Sequence, residues 1–190
     1  MYDRYQGLIF DMDGTLLDIE PSHLHAWHSV LSRYGMSFDP QIIRGLYGAP
    51  VNQIAQVILD RAGSDFDALR LAAEKKALVR EMLFDTVKPL PLIEVVKAYK
   101  GKRPMSVGTG SDRSMALALL DHLHLRDYFT AIVTADDDTR HKPAPDTFLR
   151  CASLMAVPAS QCVVFEDADF GIQAAEAAVM DVVDVRQLTE

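Results

Sequence analysis

Two aspartates one residue apart close the first apolar run of the chain, in Gly7-Leu8-Ile9-Phe10-Asp11-Met12-Asp13-Gly14-Thr15. A short apolar run ended by turn residues reads as a buried strand. Alternation along that strand sends Asp11 and Asp13 to one side, and Gly14 lets the chain turn away. Paired carboxylates suit a divalent cation together with nucleophilic or acid–base work. Taken alone they equally describe a strand end with solvated aspartates, so the decision falls on residues further along. In Val107-Gly108-Thr109-Gly110-Ser111 an apolar run ends on the Thr109 hydroxyl and on Gly110, whose bare backbone lets N–H groups approach an anion. In His141-Lys142-Pro143-Ala144-Pro145 the neighbouring prolines stiffen the backbone, so the Lys142 ammonium can be aimed. In Phe165-Glu166-Asp167-Ala168-Asp169-Phe170-Gly171, Glu166 and Asp167 are placed for a metal, and Asp169 is expected to cap the helix that follows. Acidic, hydroxyl, cationic and acidic groups thus end four apolar runs in order. That set fits a phosphoryl group held with Mg²⁺.

The elements that must position these groups follow from hydrophobic spacing. Five short apolar runs read as buried strands: 7–11, 104–109, 131–135, 162–166 and 181–185. Helical spacing falls at 92–100, 113–123, 145–155 and 168–178, so strands and helices alternate and predict an α/β, doubly wound, Rossmann-like parallel sheet. In such sheets ligands bind at the carboxyl ends of the strands, where the four groups lie. Between Asp18 and Thr86 no segment reads as a strand, whereas helices are expected at 23–34, 51–62 and 67–84. Pro21-Ser22 precedes the first and Gly35 follows it. This predicts a core domain of residues 1–17 and 87–190 and an inserted α-helical cap of residues 18–86. An insertion directly after the first strand is expected to act as a lid that excludes water and reads substrate.

Composition excludes several classes. The 190 residues are 49% apolar and 24% charged, ordinary for a globular protein, and the net charge of −8 argues against a nucleic-acid partner. No apolar run approaches a membrane span, and the first residues lack a signal-peptide pattern. Cys151 and Cys162, in apolar surroundings, read as buried reduced thiols, which points to the cytoplasm. The partner expected is a small phosphorylated metabolite. Oligomeric state is not fixed by the sequence.

The motifs resemble those of the haloacid dehalogenase superfamily over nearly the whole chain. Asp11-Met12-Asp13-Gly14-Thr15 matches its first motif, Thr109 its second, Lys142 its third and Glu166-Asp167 its fourth. The blocks LIFDMDGTLLD, HKPAPDTF and VVFEDADFGIQAA are similar to the β-phosphoglucomutase-like subgroup, and within it to small bacterial sugar-phosphate phosphatases, fructose-1-phosphate phosphatases included. The resemblance implies that Asp11 attacks phosphorus and becomes an aspartyl-phosphate. Asp13 protonates the leaving alkoxide and then activates water. Mg²⁺ is held by an Asp11 oxygen, the Asp13 backbone carbonyl and Asp167, with Glu166 acting directly or through water. Thr109, Gly110 and Lys142 bind the transferring oxygens. Without metal and Lys142, the two carboxylates would repel the phosphate. Dehalogenases and phosphonatases of the family lack an Asp at the position of Asp13, and no lysine for a phosphonatase Schiff base occurs between Asp18 and Glu74.

The cap separates the remaining readings. His23 and Trp27 match cap positions near the sugar and are expected to contact substrate, whereas His25 and His28 read as surface residues. A mutase uses a cap arginine to grip a second phosphate. The matching stretch, Gly48-Ala49-Pro50-Val51-Asn52, has no cation, and Arg44 is out of register. The leading reading is therefore a Mg²⁺-dependent sugar-phosphate phosphatase. The alternatives are a β-phosphoglucomutase-like isomerase and a non-catalytic binding module on the same fold. The family usually has glycine where Val179 stands, so the helix before it is expected to end differently, with no effect on chemistry.

Overall fold

A computed structural model describes residues 2–44, 46, 51–137 and 140–188. The chain opens with β1 (Gly7–Phe10) and β2 (Leu17–Asp18), then enters the helices α1 (Glu20–Arg33), α2 (Pro40–Arg44), α3 (Val51–Ala62) and α4 (Ala68–Thr86). It returns through β3 (Lys88–Pro89) and continues as α5 (Ile93–Tyr99), β4 (Met105–Gly108), α6 (Arg113–His122), β5 (Ala131–Val133), α7 (Asp146–Leu154), β6 (Cys162–Glu166), α8 (Asp169–Ala177) and β7 (Asp181–Asp184). Two compact units result, one of Met1–Asp18 with Lys88–Glu190 and one of Ile19–Val87.

The first unit carries a five-stranded sheet in the order β5-β4-β1-β6-β7, and every pairing in it is parallel. β1 lies between β4 and β6, with the order running outward in both directions. This is the switch point at which a doubly wound sheet opens a crevice. Register puts Phe10 opposite Val107 and Phe165, so the residues just beyond these three share one level. Burial is complete along β1, β4 and β6, as parallel strands covered on both faces require. Ile9 and Val164 join Phe148, Cys151, Ala174 and Ala175 in one apolar cluster. Phe10 and Phe165, pointing the other way, stack with ring centroids 4.7 Å apart.

The second unit is helical, built on a cluster of Trp27, Leu31, Ile43, Ile58, Leu59 and Leu71. Its first helix starts at Glu20 rather than at position 23. Pro21 is accommodated inside the first turn, where its missing N–H costs nothing. Gly35, at φ +68°, ends that helix as expected. Asp67 caps α4 by accepting from Leu69 N at 2.8 Å. Two features escape the sequence reading. One is α2. The other is the ribbon in which Leu17 pairs with Pro89 and Asp18 with Lys88, so Asp18 begins no strandless region. A two-residue ribbon has no periodicity to detect.

The expectation for Val179 is corrected. α8 does not end differently: Val179 sits at φ +57°, Met180 N donates to Ala175 O, and the left-handed ending that glycine usually makes is built with valine. Val179 is 76% exposed, so its side chain loses little if removed. A left-handed L-residue costs about 1–2 kcal/mol, partly offset in a glycine variant by the looser unfolded chain. Val179→Gly is expected to raise the melting temperature by about 2–4 °C at this chain length. A thermal melt showing no rise would mean that the strain is absorbed elsewhere.

Candidate active site

β1 stops at Phe10, so Asp11 and Asp13 lie in the loop beyond it, and strand alternation is not what orients them. The loop folds onto itself: Leu16 N and Leu17 N both donate to Met12 O, and Gly14 N donates to Leu17 O at 2.8 Å. Asp11 is tied back to the sheet by its N–H on Phe165 O at 3.0 Å. These bonds set the two carboxylates in different environments.

Lys142 Nζ donates to Asp11 Oδ1 at 2.6 Å and to Glu166 Oε1 at 2.7 Å, and stands 4.7 Å from the centroid of the Phe148 ring. Burial disfavours its charge, but the Asp11 and Glu166 carboxylates outweigh that and hold its pKa above the ordinary lysine value. Glu166 is 1% exposed and uses both oxygens, since Oε2 accepts from Ala168 N at 2.8 Å. Asp13 Oδ2 accepts from Ser111 Oγ at 2.6 Å and from Thr109 Oγ1 at 3.4 Å. Its Oδ1 is buried with no partner among the described residues. Burial raises the Asp13 pKa, opposed by the Ser111 bond, the Lys142 charge and the Thr109 bond. A carboxyl whose burial favours the protonated form, with one oxygen anchored and the other without a partner among the described residues, is suited to give a proton to a leaving oxygen.

Asp167 is held by Thr15, whose Oγ1 donates to its Oδ1 at 2.9 Å. Gly14, at φ +93°, both makes the turn and vacates space, because a Cβ there would meet the Asp167 carboxylate. Burial pushes the Asp11 pKa well up against the pull of Lys142, and Glu166, Asp13 and Asp167 add to the rise. Asp167 is raised by burial and by Glu166. Four carboxyls around one ammonium leave the cluster over-supplied with negative charge. Carboxylate oxygens of Asp11, Glu166 and Asp167 approach within 4.8 Å of one another. An all-oxygen donor set of excess charge fits a hard divalent cation such as Mg²⁺.

Thr109 N donates to Val133 O at 2.9 Å, and its Oγ1 accepts from Ser111 N at 3.0 Å, so the loop after β4 is fixed around the hydroxyl. Gly110 follows with no atom within 4 Å of where a Cβ would stand. Two expected placements change. Asp169 does not cap α8: Ala168 occupies that place with no side-chain cap, and Asp169 pairs with Arg186 at 2.9 Å. Glu166, counted from the sequence with the metal, keeps its place in that acidic group while its oxygens also accept from Lys142 and Ala168 N. Trp27 is 1% exposed in the core of the helical unit, which makes it a packing residue with no face left for substrate.

His23 accepts at Nδ1 from Lys75 Nζ, 3.0 Å away. Burial and the Lys75 charge lower the His23 pKa to about 3, so the imidazole is neutral and its proton lies on Nε2. Burial and Lys76 lower the Lys75 pKa to about 8. Ser111 and Thr15, which bond Asp13 and Asp167, are residues that the sequence reading left without a role, as is Lys75, the partner of His23 within the helical unit. Lys75 is 2% exposed and falls on the buried stripe Leu71, Ala72, Lys75, Val79, Leu83 of α4, a spacing visible in the sequence. His25 and His28 are exposed, as expected. Arg44 pairs with Glu20 at 2.6 Å, and of the stretch 48–52, where a mutase arginine would fall, residues 48–50 lie outside the described residues.

A carboxylate gripped by an ammonium, with a second carboxyl two residues on, suits displacement at phosphorus, and both lie at the switch point of the doubly wound sheet. Fold and site define an α/β phosphohydrolase class. The chain belongs to the haloacid dehalogenase-like hydrolases, whose family profile matches residues 5–178. It is 60% identical over 188 residues to the fructose-1-phosphate phosphatase YqaB of Escherichia coli K12, covering 99% of this chain and all of that one. The β-phosphoglucomutase of Bacillus subtilis is 29% identical, over 96% of this chain and 84% of its own. Among solved structures, a family IA, variant 3 hydrolase from Entamoeba histolytica superposes with a TM-score of 0.80 at 30% identity, over 93% of this chain and 82% of that one.

Proposed function

We propose that this chain is a Mg²⁺-dependent phosphatase of small sugar phosphates, fructose 1-phosphate among them. The observation that carries the reading is the contrast between the two neighbouring carboxyls. Asp11 is clamped by Lys142, and Asp13 is anchored by Ser111 with a second oxygen unpartnered. Asp11 attacks phosphorus to give an aspartyl-phosphate, and Asp13 gives its proton to the departing sugar oxygen. Asp13 then takes a proton from the water that hydrolyses the phosphoenzyme. Thr109, the Gly110 backbone and Lys142 bind the non-bridging oxygens. Asp11, Asp167 and the Asp13 carbonyl would hold the cation, with Glu166 acting directly or through water and also holding Lys142. A bound Mg²⁺ supplies positive charge that offsets the negative charge of phosphate and carboxylates.

The likeness to YqaB over whole length supports hexose 1-phosphates as substrates. The absence of any cation in 48–52 supports hydrolysis over mutase transfer, and the intact Asp11, Asp13, Lys142 and Asp167 support catalysis over mere binding. Cys151 and Cys162, both buried thiols, suit a cytoplasmic enzyme. His23, with its Nε2–H, is proposed to take part in choosing the sugar.

Phosphate release across phosphorylated hexoses, pentoses and sugar acids tests the reading. Fructose 1-phosphate is expected among the best substrates, EDTA to abolish turnover and Mg²⁺ to restore it. Full activity in metal-free protein would overturn the metal, and glucose 6-phosphate formed from β-glucose 1-phosphate as fast as phosphate is released would overturn the phosphatase. In the same screen His23→Ala should lose more kcat/KM on sugar phosphates than on nitrophenyl phosphate. An unchanged ratio removes His23 from substrate selection.

A further inference from the structure

Gly171 stands third in α8, where alanine is the better helix former. Backbone freedom does not explain it. Among the described residues the glycines with positive φ are Gly14, Gly35, Gly63 and Gly101, and Gly171 is not one of them. Space explains it: a Cβ on Gly171 would fall inside the Glu166 carboxylate, onto Oε1 and Cδ. The end of a glutamate side chain ordinarily swings away from an added methyl. Here it is pinned, because Oε1 takes Lys142 Nζ at 2.7 Å while Oε2 takes Ala168 N at 2.8 Å. Giving way at Glu166 therefore means releasing Lys142, which also holds Asp11 at 2.6 Å.

We infer that Gly171 is a positioning residue of the active site: its missing side chain is the seat of the Glu166 carboxylate and, through it, of the Lys142 ammonium beside Asp11. The inference rests on the phosphatase reading and deepens it. The first turn of α8 thus sets where the Lys142 ammonium stands. A methyl at this point acts on chemistry from a residue that touches neither phosphate nor metal.

The test compares the native chain, Gly171→Ala, Glu166→Ala and the double variant, by kcat on a phosphate ester and by thermal unfolding of metal-free protein. Gly171→Ala is expected to fold and to lose on the order of 10²-fold in kcat, the scale of one misplaced charge-stabilising group. With Glu166 already cut to alanine the methyl enters emptied space, so the same change should alter kcat less than about threefold. An unaltered kcat in Gly171→Ala, or an equal loss in both backgrounds, overturns the inference. Should Gly171→Ala fail to fold, a folded double variant supports the seat and an unfolded one overturns it. If the native chain hydrolyses no phosphate ester, the phosphatase reading fails separately. The melting temperatures then decide the seat alone: Gly171→Ala must melt below the native chain and the double variant no lower than Glu166→Ala.

Discussion

Asp11→Asn is expected to abolish turnover, by roughly 10⁴-fold or more, while leaving a folded protein. The amide has the shape of the carboxyl but cannot form the acyl phosphate. Its effect on stability should be small for reasons visible in the site. Asp11 is a buried carboxyl whose charge is disfavoured by burial and by Glu166, Asp13 and Asp167, and only Lys142 supports it. Removing that charge relieves repulsion, and Lys142 keeps its bond to Glu166 at 2.7 Å. The melting temperature of metal-free Asp11→Asn should therefore match or exceed that of the native chain. Phosphate release and a thermal melt of the purified variant check both halves. Near-normal hydrolysis would remove Asp11 as nucleophile. A collapse of stability would instead make the Asp11–Lys142 pair a structural contact.

What the sequence made legible was decided by the physics of each element. Strands β1, β4 and β6 are buried on both faces, so each is a continuous apolar run that ends where chemistry begins. Asp11, Thr109 and Glu166 could be located from those ends alone. β6 is found at the residues expected, 162–166. The partners were harder to see. Ser111 and Thr15 act through hydroxyls that orient Asp13 and Asp167, and a hydroxyl in a loop carries no signal until the loop is folded. Lys75 lies in Glu74-Lys75-Lys76, a charge run that looks solvated, yet its spacing places it among Leu71, Ala72 and Val79 on the buried stripe. Asp169 looked like a cap because Asp is good at capping, but Arg186 takes its carboxylate. Val179 shows the reverse case. The local penalty of a β-branched residue at positive φ predicts a different ending, yet Val179 takes φ +57° and Met180 N still closes the helix on Ala175 O.

Asp13→Ala should be crippled chiefly where the leaving group needs a proton. General-acid help is worth roughly 10²–10⁴-fold, and a sugar alkoxide needs all of it. Nitrophenolate is a stable anion and departs with little help, so the loss on nitrophenyl phosphate should be smaller by at least about tenfold. The geometry sharpens the comparison through a second variant. Ser111 Oγ donates to Asp13 Oδ2 at 2.6 Å, and alanine would leave that hydroxyl without its acceptor. Asn in place of Asp13 keeps an oxygen for Ser111 and the shape of the side chain while having no carboxylic proton to give. If proton donation is the role, Asp13→Asn and Asp13→Ala lose sugar-phosphate turnover alike and spare nitrophenyl phosphate alike. If Asp13 serves only to hold the loop after β4 in place through Ser111, Asn rescues both substrates and Ala harms both equally. Measuring kcat/KM for the two esters in the two variants separates these outcomes, because it reports the steps up to leaving-group departure and leaves out the shared hydrolysis of the phosphoenzyme, and only the loss of an acid depends on what is leaving.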